Sequence, residues 1–100
     1  MLGRGRFRDL VQRQLDLFAA DEAELLAEGG EADLAWTSAG REDSEELYGD
    51  YQLVVDAIGE RLYDLREVYA STLDERTAET YRSAFNAAAK KRFRRFATLL

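Results

Sequence analysis

Apolar residues recur at intervals of three and four along most of the chain, the period of amphipathic helices. Phe7, Leu10, Val11, Leu15, Leu17, Phe18, Leu25 and Leu26 form one broad stripe, which predicts a first helix over about 7–28. Asp21 and Glu22 interrupt that stripe. Asp21-Glu22-Ala23-Glu24 carries the residues of a capping box, so a kink or restart is expected there. Gly29-Gly30 is expected to end the helix, because glycine tolerates the left-handed cap. Residues 29–42 then form the one long connection. Trp36, at its apolar centre with Leu34 and Ala35, is expected to fold back and close the open end of the bundle.

The next stripe, Leu47, Tyr51, Val54, Ile58, Leu62, Leu65 and Tyr69, has a 4-3-4-4-3-4 spacing and predicts a second helix over about 43–71. Asp43-Ser44-Glu45-Glu46 supplies a capping box and acids that suit the helix dipole. Tyr48 and Val55 widen the stripe on one side, Ala57 and Val68 on the other. Such a helix is roughly 42 Å long at 1.5 Å per residue. A compact domain of this size has a radius of gyration of about 13 Å. Either Gly49 or Gly59 bends the helix, or the molecule is elongated. Thr72-Leu73-Asp74-Glu75 is a further capping box. A third helix over about 73–97 follows, with its stripe on Thr77, Tyr81, Ala84, Phe85 and Ala88. The expected architecture is therefore a single all-α domain, a three-helix bundle whose second and third helices form a long antiparallel hairpin.

Composition agrees with this and removes many chemistries. There is no proline, and only ten of the 100 residues are Val, Ile or Thr. Leu, Ile, Val and Phe number 24, enough for a thin core. The chain has no Cys and no His. Disulfides, thiolate or imidazole metal ligation, and Ser–His–Asp or Cys–His nucleophiles are thereby excluded within it. Gly3-Arg4-Gly5 follows no strand and is not a phosphate loop. An EF-hand register from Asp43 needs Gly at Tyr48 and Glu at Val54, and fails. The acids Glu42, Glu45, Glu46 and Asp50, and likewise Glu28, Glu31 and Asp33, are read as solvated faces. No catalytic residue, cofactor site or metal site is assigned. The longest uninterrupted apolar run is Leu17 to Ala20, too short for a membrane span, and no apolar stretch follows the basic start as in a secretory signal. A cytoplasmic location is the default expectation.

Two features carry the functional reading. The first is charge polarity. The net charge is −6, yet residues 90–100 hold Lys90, Lys91, Arg92, Arg94 and Arg95 with no acid, and residues 1–13 hold four arginines against Asp9. The C-terminal cluster is expected to lie beside the acidic start of the second helix and to complement the dipole of its own helix. Nucleic-acid binding by the terminal Arg and Lys clusters, with Phe93 and Phe96 as stacking rings, is the alternative, opposed by the overall negative charge. The second feature is a change of face. Ala89, Phe93, Phe96 and Leu100 form a stripe rotated by about 80–100° from that of the third helix. It either packs on the first helix or offers a surface for a second copy or a partner helix. The expected function is a non-enzymatic interaction or self-association module, a homodimer or a partner-binding protein. Its contact residues would be Ala89, Phe93, Phe96 and Leu100, flanked by Lys90, Lys91, Arg94 and Arg95.

Overall fold

The computed structural model describes residues 5–98 and 100. Gly3 and Arg4, named above, lie outside the described residues. Four helices follow in order: α1 Arg8–Asp21, α2 Ala23–Thr37, α3 Ser44–Ala70 and α4 Glu75–Arg92. There is no strand among the described residues. The all-α class is as expected, but the helix count is four. The expected first helix is two helices, and the second of them occupies the expected loop as far as Thr37, leaving 38–43 as the connection.

The restart falls at Glu22, whose φ of −107° and ψ of 28° leave the helical basin. No side chain caps α2, so the capping box does not form. Instead Glu22 accepts both its hydrogen bonds from Arg61 Nη1 on α3, at 2.7 and 2.8 Å. Gly29-Gly30 does not stop the chain, and no described glycine has a positive φ. Gly29 is buried, and a Cβ there would lie 3.0 Å from Ile58 Cδ1 and 3.3 Å from two ring carbons of Phe96. The glycine marks a close approach between helices. Its cost in helix propensity, about 1 kcal/mol, is offset by the packing it permits.

Contacts give the directions of the rods. Along α3, Arg61 meets Glu22, Ile58 meets Gly29 and Tyr51 meets Trp36, so α2 is antiparallel to α3. Tyr69 meets Tyr81, and Tyr51 meets Arg95, so α4 is also antiparallel to α3. Phe7 meets Tyr81 and Phe18 meets Phe93, so α1 runs parallel to α4. The chain thus still makes three rods, the first broken into α1 and α2. At 27 residues α3 is about 40 Å long. It is accommodated by elongation, with extents of 51 × 23 × 22 Å and a radius of gyration of 15.5 Å.

The core joins Val11, Leu15 and Phe18 of α1 to Ile58 and Leu62 of α3 and to Tyr81, Phe85 and Ala89 of α4. On α3 the buried side lies toward Val55, while Val68 is 71% exposed. On α4 the buried line is Ala78, Tyr81, Phe85 and Ala89. It is centred one residue away from the expected Ala84 and Ala88, which sit at the edge. That offset removes the apparent change of face: Ala89 continues the same line, and Phe93 and Phe96 follow it. The cap of α4 also moves. Asp74 accepts from Thr77 N at 3.0 Å and from Thr77 Oγ1 at 2.7 Å. Thr72 instead donates back to the Tyr69 carbonyl, closing α3. The helix ends at Arg92, five residues early, because Phe93 adopts φ −118° and ψ 52°. A turn follows, in which the Phe96 and Ala97 amides both donate to the Phe93 carbonyl.

The two neighbouring glycines of α2 should respond oppositely to alanine. Nothing lies within 4 Å of a Cβ at Gly30, so Gly30→Ala should stabilise by about 0.5–1 kcal/mol. At Gly29 the same gain is outweighed by overpacking of about 1–3 kcal/mol, and Gly29→Ala should lower the urea midpoint. Equal gains at both positions would mean that α2 does not pack closely on Ile58 and Phe96.

Candidate interaction site

The structure divides the eight expected contact residues into two groups. Ala89 is fully buried. Phe93 lies edge-on to Phe18 of α1, with centroids 5.6 Å apart, and Phe96 lies over Gly29 of α2. Leu100 also packs against the core. These four apolar positions are occupied inside the chain, Phe93 and Phe96 on the first rod. Lys90, Lys91 and Arg94 are exposed.

Arg95 closes the end of the bundle with Trp36. Its Nη2 is 2.7 Å from Asp33 Oδ1, a charge contact without the alignment of a hydrogen bond, and that oxygen is buried. Its guanidinium lies 5.9 Å from the Tyr51 ring centroid, and the Tyr51 hydroxyl donates to the Arg95 carbonyl at 3.0 Å. Trp36 stacks on Tyr51 at 5.0 Å. The expected closing role of Trp36 is therefore met from a helix, with the ring packed on α3. Arg92 reaches Asp16 of α1 at 2.6 Å. The acids that meet the basic cluster are thus Asp16 and Asp33 of the first rod. The start of α3, where they were expected, has its acids Glu45, Glu46 and Asp50 exposed.

What the sequence reading did not find is an open groove between α1 and α4, about 1170 Å3 in volume. Val11 and Leu15 of α1 and Ala84, Ala87 and Ala88 of α4 make its apolar floor, with Thr80 and Ser83 beside them. Arg8, Lys91 and Arg92 stand at its ends, and no acid and no α3 residue lines it. In a chain with 20 acids, that absence gives the groove a charge opposite to the whole. The signal was present in the sequence. Placing the bulky Tyr81 and Phe85 at the centre of the α4 stripe leaves Ala84, Ala87 and Ala88 for another surface.

The remaining polar chemistry holds α3 to α4. Arg82 donates to both oxygens of Glu67 at 2.9 Å, and Arg66 Nε donates to Glu67 at 2.8 Å. Arg66, 9% exposed, also donates to Asn86 and lies over the Tyr63 ring at 4.8 Å. The hydrogen bond from Arg82, followed by that from Arg66, draws the Glu67 carboxyl down to about 2. Burial pushes the Tyr81 phenol up to about 12, while its hydroxyl donates to Gln14 at 2.8 Å. Neither group faces the groove. Among the described residues no three acids gather where they could hold a metal ion, and no helix is long and apolar enough to cross a membrane. No known protein family matches the chain, and no curated protein or solved structure matches it.

Because the folded value of Glu67 lies below its ordinary 4.5, its contribution is complete above that pH and is lost as pH falls toward about 2. Solvent screening holds the contribution to about 1 kcal/mol. Glu67→Gln should cost that much at pH 7 and almost nothing at pH 2, as read by urea unfolding at each pH. A pH-independent cost would show that the Arg82–Glu67–Arg66 bridge contributes packing and no charge energy.

Proposed function

We propose that this chain is a non-enzymatic protein–protein interaction module, which self-associates or docks on a protein partner through the groove between α1 and α4. The open groove carries the reading. Two parallel helices with a floor of small apolar side chains offer a third helix a close seat, as in helix-in-groove recognition. The basic ends of the groove give that seat a charge preference. An elongated bundle of three rods also leaves a large surface for its volume, and association would add burial to a thin core.

Nucleic-acid binding remains the second reading, favoured by the exposed Lys90, Lys91 and Arg94. Two considerations weigh against it. Arg92 and Arg95 are each paired with an acid of the first rod. Phe93 and Phe96 face Phe18 and Gly29, where they offer no platform for bases.

A photo-crosslinking amino acid in place of the exposed Ala87, irradiated in whole cells, tests the two together. The expected product is a protein adduct seated in the groove. Adducts to nucleic acid alone, or no adduct beyond the background of the same probe at exposed Glu79, would overturn the interaction reading.

A further inference from the structure

The outer face of α2 is the second unpartnered surface of this molecule. It is centred on Ala27, with Ala23, Gly30 and Leu34 on one flank and Glu24, Glu28 and Glu31 on the other, and all seven are exposed. Leu34 is 67% exposed, and the space above Gly30 is open. α2 contains no Lys or Arg. This face is apolar along one side and acidic along the other, with Arg61 of α3, paired to Glu22, beside Ala23, Glu24 and Glu28. The groove between α1 and α4 is apolar along its floor and basic at its ends.

We infer that these two surfaces are complementary and that the occupant of the groove is α2 of a second copy of this chain, an inference that rests on the interaction reading above. Three observations favour it. Lengths match: the groove runs from Thr80 to Arg92, about 18 Å, and the face from Ala23 to Leu34, about 17 Å. Charges match best in this pairing. An antiparallel two-fold pairing of grooves sets Arg8 against Lys91, Arg92 being paired with Asp16, and an antiparallel two-fold pairing of α2 faces sets Glu24, Glu28 and Glu31 against themselves. Both are like-charge contacts. Shape matches too, since Ala23, Ala27 and Gly30 allow a close approach to Ala84, Ala87 and Ala88. The outer face of α3 is a poorer fit, because Glu60 and Asp64 stand between its exposed Leu53 and Val68. Docking it would press carboxylates onto Ala84, Ala87 and Ala88.

The contact joins different patches on the two copies, so every docked copy keeps one free groove and one free α2 face. Such an arrangement grows head to tail, into a ring if the rotation closes and a filament if it does not. The patch is small, at the low end of specific interfaces, so association depends on concentration. It also depends on salt, since the rims are exposed charges.

Two surface variants test this by light scattering and sedimentation of the purified chain. Leu34→Arg spoils the face, and Ala87→Glu with Lys91→Glu spoils the groove. All three positions are exposed, and circular dichroism checks that each variant folds. The wild type should grow past the dimer with concentration, and salt raised from about 50 mM to about 500 mM should weaken growth by about tenfold. Each variant alone should be monomeric. Their equimolar mixture should form a dimer and nothing larger, because it holds one good face and one good groove. Leu53→Arg, on α3, should associate like the wild type. A wild type that stops at a dimer kept by both variants overturns the head-to-tail contact and places self-association elsewhere. A monomeric wild type whose groove crosslinks to a foreign protein overturns docking of a second copy but leaves the interaction reading standing. A monomeric wild type without any protein crosslink overturns both.

Discussion

Gly29 sits where three parts of the molecule converge. Its missing side chain lets Ile58 of α3 and Phe96 of the C-terminal turn come to within van der Waals contact of the α2 backbone. The rest of the upper bundle follows from that approach. With α2 held close to α3, Trp36 lies on Tyr51, and Asp33 lies beside Arg95. The turn after α4 is then fixed from both sides, by Phe93 on Phe18 and by Phe96 on Gly29. A bulkier residue at this position would move α2 outward, and the aromatic stack and the Arg95 contact would open together. One glycine, unfavourable for the helix that contains it, thereby sets the spacing of the other elements.

That position also shows where reading the sequence alone reaches its limit. The 3.6-residue period was strong enough to reveal helix throughout, the α3–α4 hairpin, and the interruption at Asp21 and Glu22. What periodicity does not carry is the reason for a glycine. Gly29-Gly30 satisfies the local rule for a helix end, and only a neighbouring Ile58 and Phe96 make it a packing position, a tertiary fact. Capping behaved alike. At 21–24, 43–46 and 72–75 the residue types fit a box, yet the one side-chain cap formed at these starts is Asp74 with Thr77, and Glu22 spends its carboxylate on Arg61. The stripe of α4 was misplaced by one residue because alanine is ambiguous. Ala84 and Ala88 serve a core or a shallow surface equally well, whereas Tyr81 and Phe85 do not. The same error hid the groove and created a false second face at Phe93 and Phe96.

The placement of charge has a structural logic of its own. Bases gather near the two chain ends, and because α1 runs parallel to α4 the fold sets Arg8 and the C-terminal bases at opposite ends of the α1–α4 pair. Some of those bases are used internally: Arg92 ties α4 to α1 through Asp16, and Arg95 ties the turn to α2 through Asp33. An exposed pair such as Arg92–Asp16 contributes little energy. Its effect is to position, setting the spacing of α1 and α4 and leaving Ala87 exposed between them.

The uncovered floor is the point at which stability and function become one question. A bundle of three rods leaves a groove between α1 and α4 that α3 does not line. Filling the groove from within one chain would need larger side chains at Ala84, Ala87 and Ala88. Larger side chains would serve a monomer well and would remove the seat for a helix. Small residues there give up burial within one chain and keep open the burial available between chains, and a thin core gains most from that second kind. On the interaction reading proposed above, the groove is the unfilled fourth position of a helical bundle and not a defect in a three-rod one.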